Sequence, residues 1–235
     1  MTQTAVITGA GQGMGRSIAL RLAAMNIHPI LIGRTASKLE KTAAEIQALG
    51  HTATVLPCDL TDAAQVEAAR QAVVTQTDTI DMLINCAGEA FIKPFSDTDL
   101  AAWNRILAIN LTSHYQITHA MLPLLRKSEN ASIVNMVSKV ALKGYGAGIA
   151  AYSAAKTGLL GFTRALAAEL AKEEIRVVAV NPGPVDTPMR RAATPDFDPK
   201  LIIKEQTVVD LVAYIVTLPR GTTMGEVLVG SMHYD

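Results

Sequence analysis

Tyr152 and Lys156 stand four residues apart in Ala151-Tyr152-Ser153-Ala154-Ala155-Lys156, at the start of a long run rich in alanine and leucine. On a helix, positions i and i+4 share a face. An ammonium held against a phenol favours the phenolate, so a group that ordinarily titrates near pH ~10 can trade a proton nearer neutrality. The pair is a candidate acid/base catalyst, although Tyr and Lys also fall at this spacing by accident in many helices. A second candidate is the turn Thr8-Gly9-Ala10-Gly11-Gln12-Gly13-Met14-Gly15. Glycines between a strand and its helix let backbone N–H groups and the positive helix end approach a pyrophosphate.

Both candidates need a scaffold, and the chain alternates short β-branched runs with longer Ala-rich segments, the pattern of βαβ units building a parallel sheet. Strands are expected at 4–8, 28–33, 52–57, 80–85, 131–138, 175–181 and 226–230. Between them, helices are expected at 13–25, 36–49 (closed by Gly50), 62–77 with Thr61 as N-cap, 97–125, and from Tyr152 to Glu173. One or two more are expected within 200–218. Asn110, a poor helix former, is expected to break the 97–125 segment. A glycine-rich stretch from Gly144 to Gly148 leads into the Tyr152 helix, and Pro182, Pro184, Pro188, Pro195 and Pro199 mark a loop without regular structure. One doubly wound domain of 235 residues accounts for the whole pattern.

Lys+Arg and Asp+Glu balance at 21 each, and no basic stripe is interleaved with aromatics, so nucleic acid is not an expected partner. No apolar run approaches the ~18 residues of a membrane span and no leader precedes the first strand, which points away from membranes and toward the cytoplasm. The five histidines form no metal-ligand pattern, so no metal is expected. Cys58 and Cys86 are the only cysteines, each in an apolar context that suits a buried free thiol rather than a disulfide.

Taken together, the glycine turn, Asn85-Cys86-Ala87-Gly88, Asn110, Ser138, Tyr152-x-x-x-Lys156, and Pro182-Gly183 with Thr187 beyond make the chain resemble the short-chain dehydrogenase/reductase family in its compact single-domain form. That resemblance runs end to end and implies a Rossmann fold, α/β, in three α/β/α layers with about seven strands. It implies that Tyr152 acts as general acid or base on a substrate oxygen, that Lys156 lowers its pKa and holds the nicotinamide ribose, and that Ser138 orients the oxygen. Asn110 would hold a water linking Lys156 to solvent. Cofactor contacts are implied for Thr8, Gly9, Gln12, Gly13, Met14 and Gly15 in the glycine turn. The same is implied for Asp59 and Leu60 at the adenine and for Asn85, Ala87 and Gly88 beside the cofactor. Tyr152, Lys156, Pro182, Gly183, Val185 and Thr187 are implied at the nicotinamide end. Cys86 replaces the second Asn of the family's usual Asn-Asn-Ala-Gly, and the C-terminal Val229 to Asp235 lacks the Asp-Gly-Gly that many members carry.

Cofactor choice in this fold is made at the end of the second strand, where an acid suits a ribose 2′-hydroxyl and an arginine a 2′-phosphate. Gly33-Arg34-Thr35 has no acid, and a guanidinium binds phosphate bidentately, so NADP(H) is favoured over NAD(H), with Arg16 adding charge. The loop 189–199 is the expected lid, and its Arg190-Arg191 either meets an anionic substrate or is simply solvated. The expected function is NADPH-dependent reduction of a ketone or aldehyde, or oxidation of the alcohol. A 3-oxoacyl thioester and a small ketone are both candidate substrates. The rival is an NADP(H)-binding regulator or scaffold without turnover. A homodimer or homotetramer through helices 97–125 and 152–173 is what the family implies.

Overall fold

A computed structural model describes residues 2–143 and 146–233, together with the backbone of Pro199. Seven strands form one all-parallel sheet in the order β3-β2-β1-β4-β5-β6-β7. They are β1 (Thr4–Thr8), β2 (His28–Gly33), β3 (Thr54–Pro57), β4 (Met82–Asn85), β5 (Ser132–Met136), β6 (Arg176–Pro182) and β7 (Glu226–Val229). The helices are α1 (Gly13–Ala23), α2 (Ala36–Ala48), α3 (Ala63–Val74), α4 (Leu100–Leu107), α5 (Ser113–Leu125), α6 (Ala150–Leu170), α7 (Pro188–Ala193) and α8 (Glu205–Val216).

Alternation along each strand divides the core into two layers. Ala5 and Ile7 of β1 pack with α1, α2 and α8 on one face, while Val6 packs with α3 and α5 on the other. Strand order reverses between β1 and β4, and open α/β sheets gather ligands at the carboxyl ends of strands at such a point.

The expected strands and helices are present, with shifted ends. Helix α3 is capped by Asp62, whose carboxylate accepts from Ala64 N at 2.9 Å, and not by Thr61, whose hydroxyl is donated to Asp59 Oδ1 at 2.7 Å. The proline-marked loop is not wholly irregular: Pro188 sits at the start of α7, where its missing N–H costs nothing, and Thr187 caps that helix by accepting from Arg190 N at 3.2 Å. Of the glycine-rich stretch, Gly144 lies outside the described residues, as do Tyr234 and Asp235 of the C-terminal sequence. No helix among the described residues is long and apolar enough to cross a membrane.

Between α4 and α5 the helix widens into a π turn, Ala108–Thr112, with Asn110 fully buried inside it. The expected break is therefore a change of helical pitch. Asn110 Nδ2 donates to Ile106 O at 3.2 Å and to Glu89 O at 3.0 Å, and Oδ1 accepts from Glu89 N at 3.2 Å. One amide thus fastens the loop after β4 to the helix.

Candidate active site

The turn between β1 and α1 closes because Gly15 packs against it: a Cβ there would lie 2.4 Å from Gly9 O. Gly9 itself adopts φ +67°, in the left-handed region that glycine tolerates. Thr8 ties this turn to the next one. Its hydroxyl accepts from Cys86 N at 3.0 Å and Ala87 N at 3.1 Å, so its side chain braces the loop and does not line the groove beside it. Helix α1 begins with no side-chain cap at Gln12 and no acid in its first turn, which leaves its N-terminal N–H groups facing that groove.

Gly9, Gln12, Gly13, Met14 and Gly15 line the groove, and so do Arg34, Thr35, Leu60, Ala87 and Gly88. Besides Thr8, three expected residues do not line the groove. Asp59 holds Thr61 N at 3.0 Å and the Thr61 hydroxyl, making a turn ahead of α3. Asn85 is buried in a polar ladder: its Nδ2 donates to Asn135 Oδ1 at 2.8 Å and Thr118 Oγ1 at 3.0 Å, and Asn135 Nδ2 donates to Thr163 Oγ1 at 2.9 Å. That ladder joins β4 and β5 to α5 and α6 without needing an asparagine at Cys86. Arg16 ion-pairs with Glu45 and is not at the groove.

In its place the groove has Lys38, which the sequence reading missed. Its Nζ donates to Gln12 Oε1 at 2.7 Å, one helical turn beyond Arg34. A cation in the first turn of the helix after the second strand was the available signal. No carboxylate lines this groove among the described residues.

At the carboxyl end of β5, Ser138 Oγ accepts from Val140 N at 3.3 Å, and Ser153 Oγ of α6 donates to Val140 O at 3.4 Å. The first turn of α6 is thereby pinned to the segment that carries Ser138, and Ser138 and Tyr152 wall the same chamber. Lys156 is buried. Its Nζ donates to Met136 O at 2.9 Å and lies 5.9 Å from the centre of the Tyr152 ring. Gly88 lets these groups close in, since a Cβ there would sit 2.9 Å from Asn110 Oδ1 and 3.7 Å from Lys156 Nζ. Asn110, Ser138, Tyr152 and Lys156 are therefore assembled around one corner of the sheet.

The electrostatics depart from the expectation for Lys156. Burial pushes the Tyr152 phenol above its ordinary value, and the groups that pull it back are Ser138, by hydrogen bond, and Arg190, by charge. Lys156 is itself pulled down to about 8 by burial. A desolvated ammonium with a depressed pKa is poised to bind oxygen acceptors or anions that restore its solvation.

A second chamber, about 400 Å³, continues from the groove and is walled by Ser138, Tyr152, Pro182, Gly183, Val185 and Thr187 together with residues of α7. Val185 forms a parallel bridge with Ile203 in which Asp186 N donates to Ile203 O at 3.0 Å and Ile203 N to Pro184 O at 2.8 Å. These bonds use the residues on either side, so the N–H and C=O of buried Val185 have no hydrogen-bond partner among the described residues. An unpaired donor and acceptor side by side match a carboxamide. With the open helix end, the two cations and this amide-sized pair in line, the residues present fit a nicotinamide dinucleotide.

Comparison with known proteins agrees with that geometry. Residues 3–198 match the family described as short chain dehydrogenase, and the chain belongs to that family. It is similar to the short-chain dehydrogenase/reductase FrzI of Cladobotryum, with 36% identity over 216 residues covering 91% of this chain and 78% of that protein. It is likewise similar to a fatty acyl-CoA reductase of Acinetobacter baylyi, at 31% identity over 216 residues, 91% of this chain and 72% of the relative. Among solved structures, a single-site variant of actinorhodin polyketide ketoreductase with NADPH superimposes with a TM-score of 0.90, at 28% identity, covering 98% of this chain and 96% of that one. The protein is an oxidoreductase of this family.

Proposed function

We propose that the protein is an NADP(H)-dependent carbonyl reductase that also runs in reverse as an alcohol dehydrogenase. The observation that carries this reading is that Ser138 and Tyr152 wall one chamber, which continues from the dinucleotide groove, with Lys156 Nζ 5.9 Å from the centre of the Tyr152 ring. A bound nicotinamide would supply hydride to the carbonyl carbon, or accept it from the alcohol. Tyr152 gives its proton to the developing alkoxide, and Ser138 holds the same oxygen. Lys156, whose Nζ lies 5.9 Å from the centre of the Tyr152 ring, offers its remaining N–H donors to the ribose. Asn110, next to Lys156 across Gly88, is in position to hold the water through which the proton is replaced.

Preference for the phosphorylated cofactor rests on Arg34 and Lys38 in a groove without acids. The carboxamide reading rests on Val185 and Thr187. Self-association through α4–α5 and α6 is supported by an aromatic cluster on α5 and α6, exposed Tyr115 and His119 with half-buried Phe162, and a cytoplasmic location belongs to the same reading. The test is cofactor consumption with a panel of ketones, using NADPH and NADH in parallel, on wild type and Tyr152→Phe. The expected outcome is turnover preferring NADPH, with kcat lowered by at least about 100-fold in the variant. Equal rates for the two proteins would remove Tyr152 from the chemistry.

A further inference from the structure

Lys38 Nζ donates to Gln12 Oε1 at 2.7 Å, and this bond joins α2 to the glycine turn beside the groove that both residues line. The backbone beneath the bond is built to bring the two together. Buried Thr42, one helical turn beyond Lys38, shares its hydroxyl hydrogen between Ala10 O at 3.0 Å and Lys38 O at 3.2 Å, which pins α2 onto the turn. Gly11 leaves room for the lysine stem, since a Cβ there would lie 2.9 Å from Lys38 Cβ. Buried Leu39 packs against Gly11 and Gly33.

Three cations stand near this turn, and they are held differently. Arg16 is taken by Glu45. Arg34, exposed just after β2, has no hydrogen bond or ion pair among the described residues. Lys38 is tethered with donors to spare: an ammonium carries three N–H groups, and Gln12 accepts one. No carboxylate lines the groove to compete for the other two among the described residues.

We propose that Gln12 is a positioning residue: its amide oxygen holds the Lys38 ammonium at the groove, so that Lys38 reads the 2′-phosphate of the cofactor. This inference rests on the NADP(H) reading. A loose lysine side chain samples many rotamers, and freezing it when a ligand binds costs entropy. With the amide bond already made, that ordering precedes the ligand, and two N–H groups remain for phosphate oxygens without breaking the first bond. A ribose 2′-hydroxyl offers the ammonium no charge, so the tether raises affinity for the phosphorylated cofactor far more than for the other. Arg34 reaches the same phosphate without such preparation.

The test is calorimetric binding of two cofactor fragments to the full chain, adenosine 2′,5′-bisphosphate and adenosine 5′-monophosphate, which needs no turnover. Wild type is expected to prefer the bisphosphate by at least about 50-fold. Lys38→Met should lose about 20-fold or more on the bisphosphate and under about threefold on the monophosphate. Gln12→Leu should lose about fivefold or more on the bisphosphate alone, and under about twofold when added to Lys38→Met, because there is no ammonium left to hold. Arg16→Gln, away from the groove, leaves both affinities unchanged. A merely structural role for Gln12 would weaken both fragments together, and that outcome overturns the inference. So does a loss that persists in the Lys38→Met background, which would put the Gln12 amide on the phosphate itself. Preference for the bisphosphate in wild type with no change in Gln12→Leu overturns the inference and leaves the NADP(H) reading standing. Equal binding of the two fragments in wild type removes that reading, and the inference with it.

Discussion

Lys156 and Arg176 are both buried cations, each 4% exposed, at opposite ends of one parallel sheet. Arg176, at the amino end of β6, donates to Thr222 O, Ser132 Oγ, Asn130 Oδ1, Leu218 O and Pro219 O. Each of the three guanidinium nitrogens has at least one acceptor, and the β6–β7 connection is organised around it. Lys156, at the carboxyl end of β5, has one hydrogen-bond acceptor among the described residues, Met136 O. The first cation is solvated by protein and holds the fold. The second is left short of acceptors, which is a cost unless something that binds there supplies them.

The contrast is sharpest if each cation is replaced by an apolar side chain. For Lys156→Met, kcat should fall by about 100-fold or more, while the cofactor-free protein keeps its melting temperature or gains a few degrees, because a poorly solvated charge has gone. For Arg176→Met the expectation is inverted. Stability measured by urea unfolding should drop by about 2–4 kcal/mol as the carbonyls of Pro219 and Thr222 lose their side-chain donor, with kcat at low temperature within about twofold. A stability loss in the lysine variant equal to that in the arginine variant would erase the distinction.

The smallest expected effect is a pH dependence. Because Lys156 titrates at about 8 when folded against an ordinary 10.5, the folded chain gives up this proton before the unfolded chain does. The penalty is complete below about 8 and is relieved as the pH rises toward 10.5, so this group makes stability increase across that window. The thiols of Cys58 and Cys86, raised by burial to about 11 and about 12, act in the opposite sense at the upper end. The contribution of Cys58 cancels on comparing wild type with Lys156→Met, whereas that of Cys86, which interacts with the Lys156 charge, rises with it at the upper end. The difference in unfolding free energy between those two proteins should change by about 1–3 kcal/mol from pH 8 to 10. A flat difference would mean that the ammonium is better solvated than its single acceptor suggests.

The scaffold was legible because it is written in periodicity. Alternating apolar runs name strands such as β2, whose bounds His28–Gly33 were read without error, and the glycine turn and Tyr152-x-x-x-Lys156 depend on local spacing alone. What was not legible depends on which of several equivalent side chains a neighbour takes. Thr61 and Asp62 are both good caps, and only the path of the turn at Asp59 decides between them. Arg16 and Lys38 are both near the glycine turn, but Glu45 claims the first. Arg190 and Arg191 are adjacent and identical in type, yet α7 sends them to opposite sides. Proline count alone concealed α7, since Pro188 favours a helix start as readily as it forbids a helix interior.

The π turn at 108–112 bears on how the long segment from Leu100 to Leu125 is phased. Each residue of an α-helix advances the azimuth by about 100°, and a π turn holds one residue more than the α pattern would. Upstream of it, Ile106 packs with Ala151 and Ala155 of α6; downstream, Ile117, Met121 and Leu124 pack on the sheet. Deleting a single residue within the turn would rotate the two apolar stripes relative to each other by about a quarter of a revolution. Only one of them could then face its partner. The surplus residue works as an angular offset, letting a single continuous rod lie against a helix along one half and against a sheet along the other.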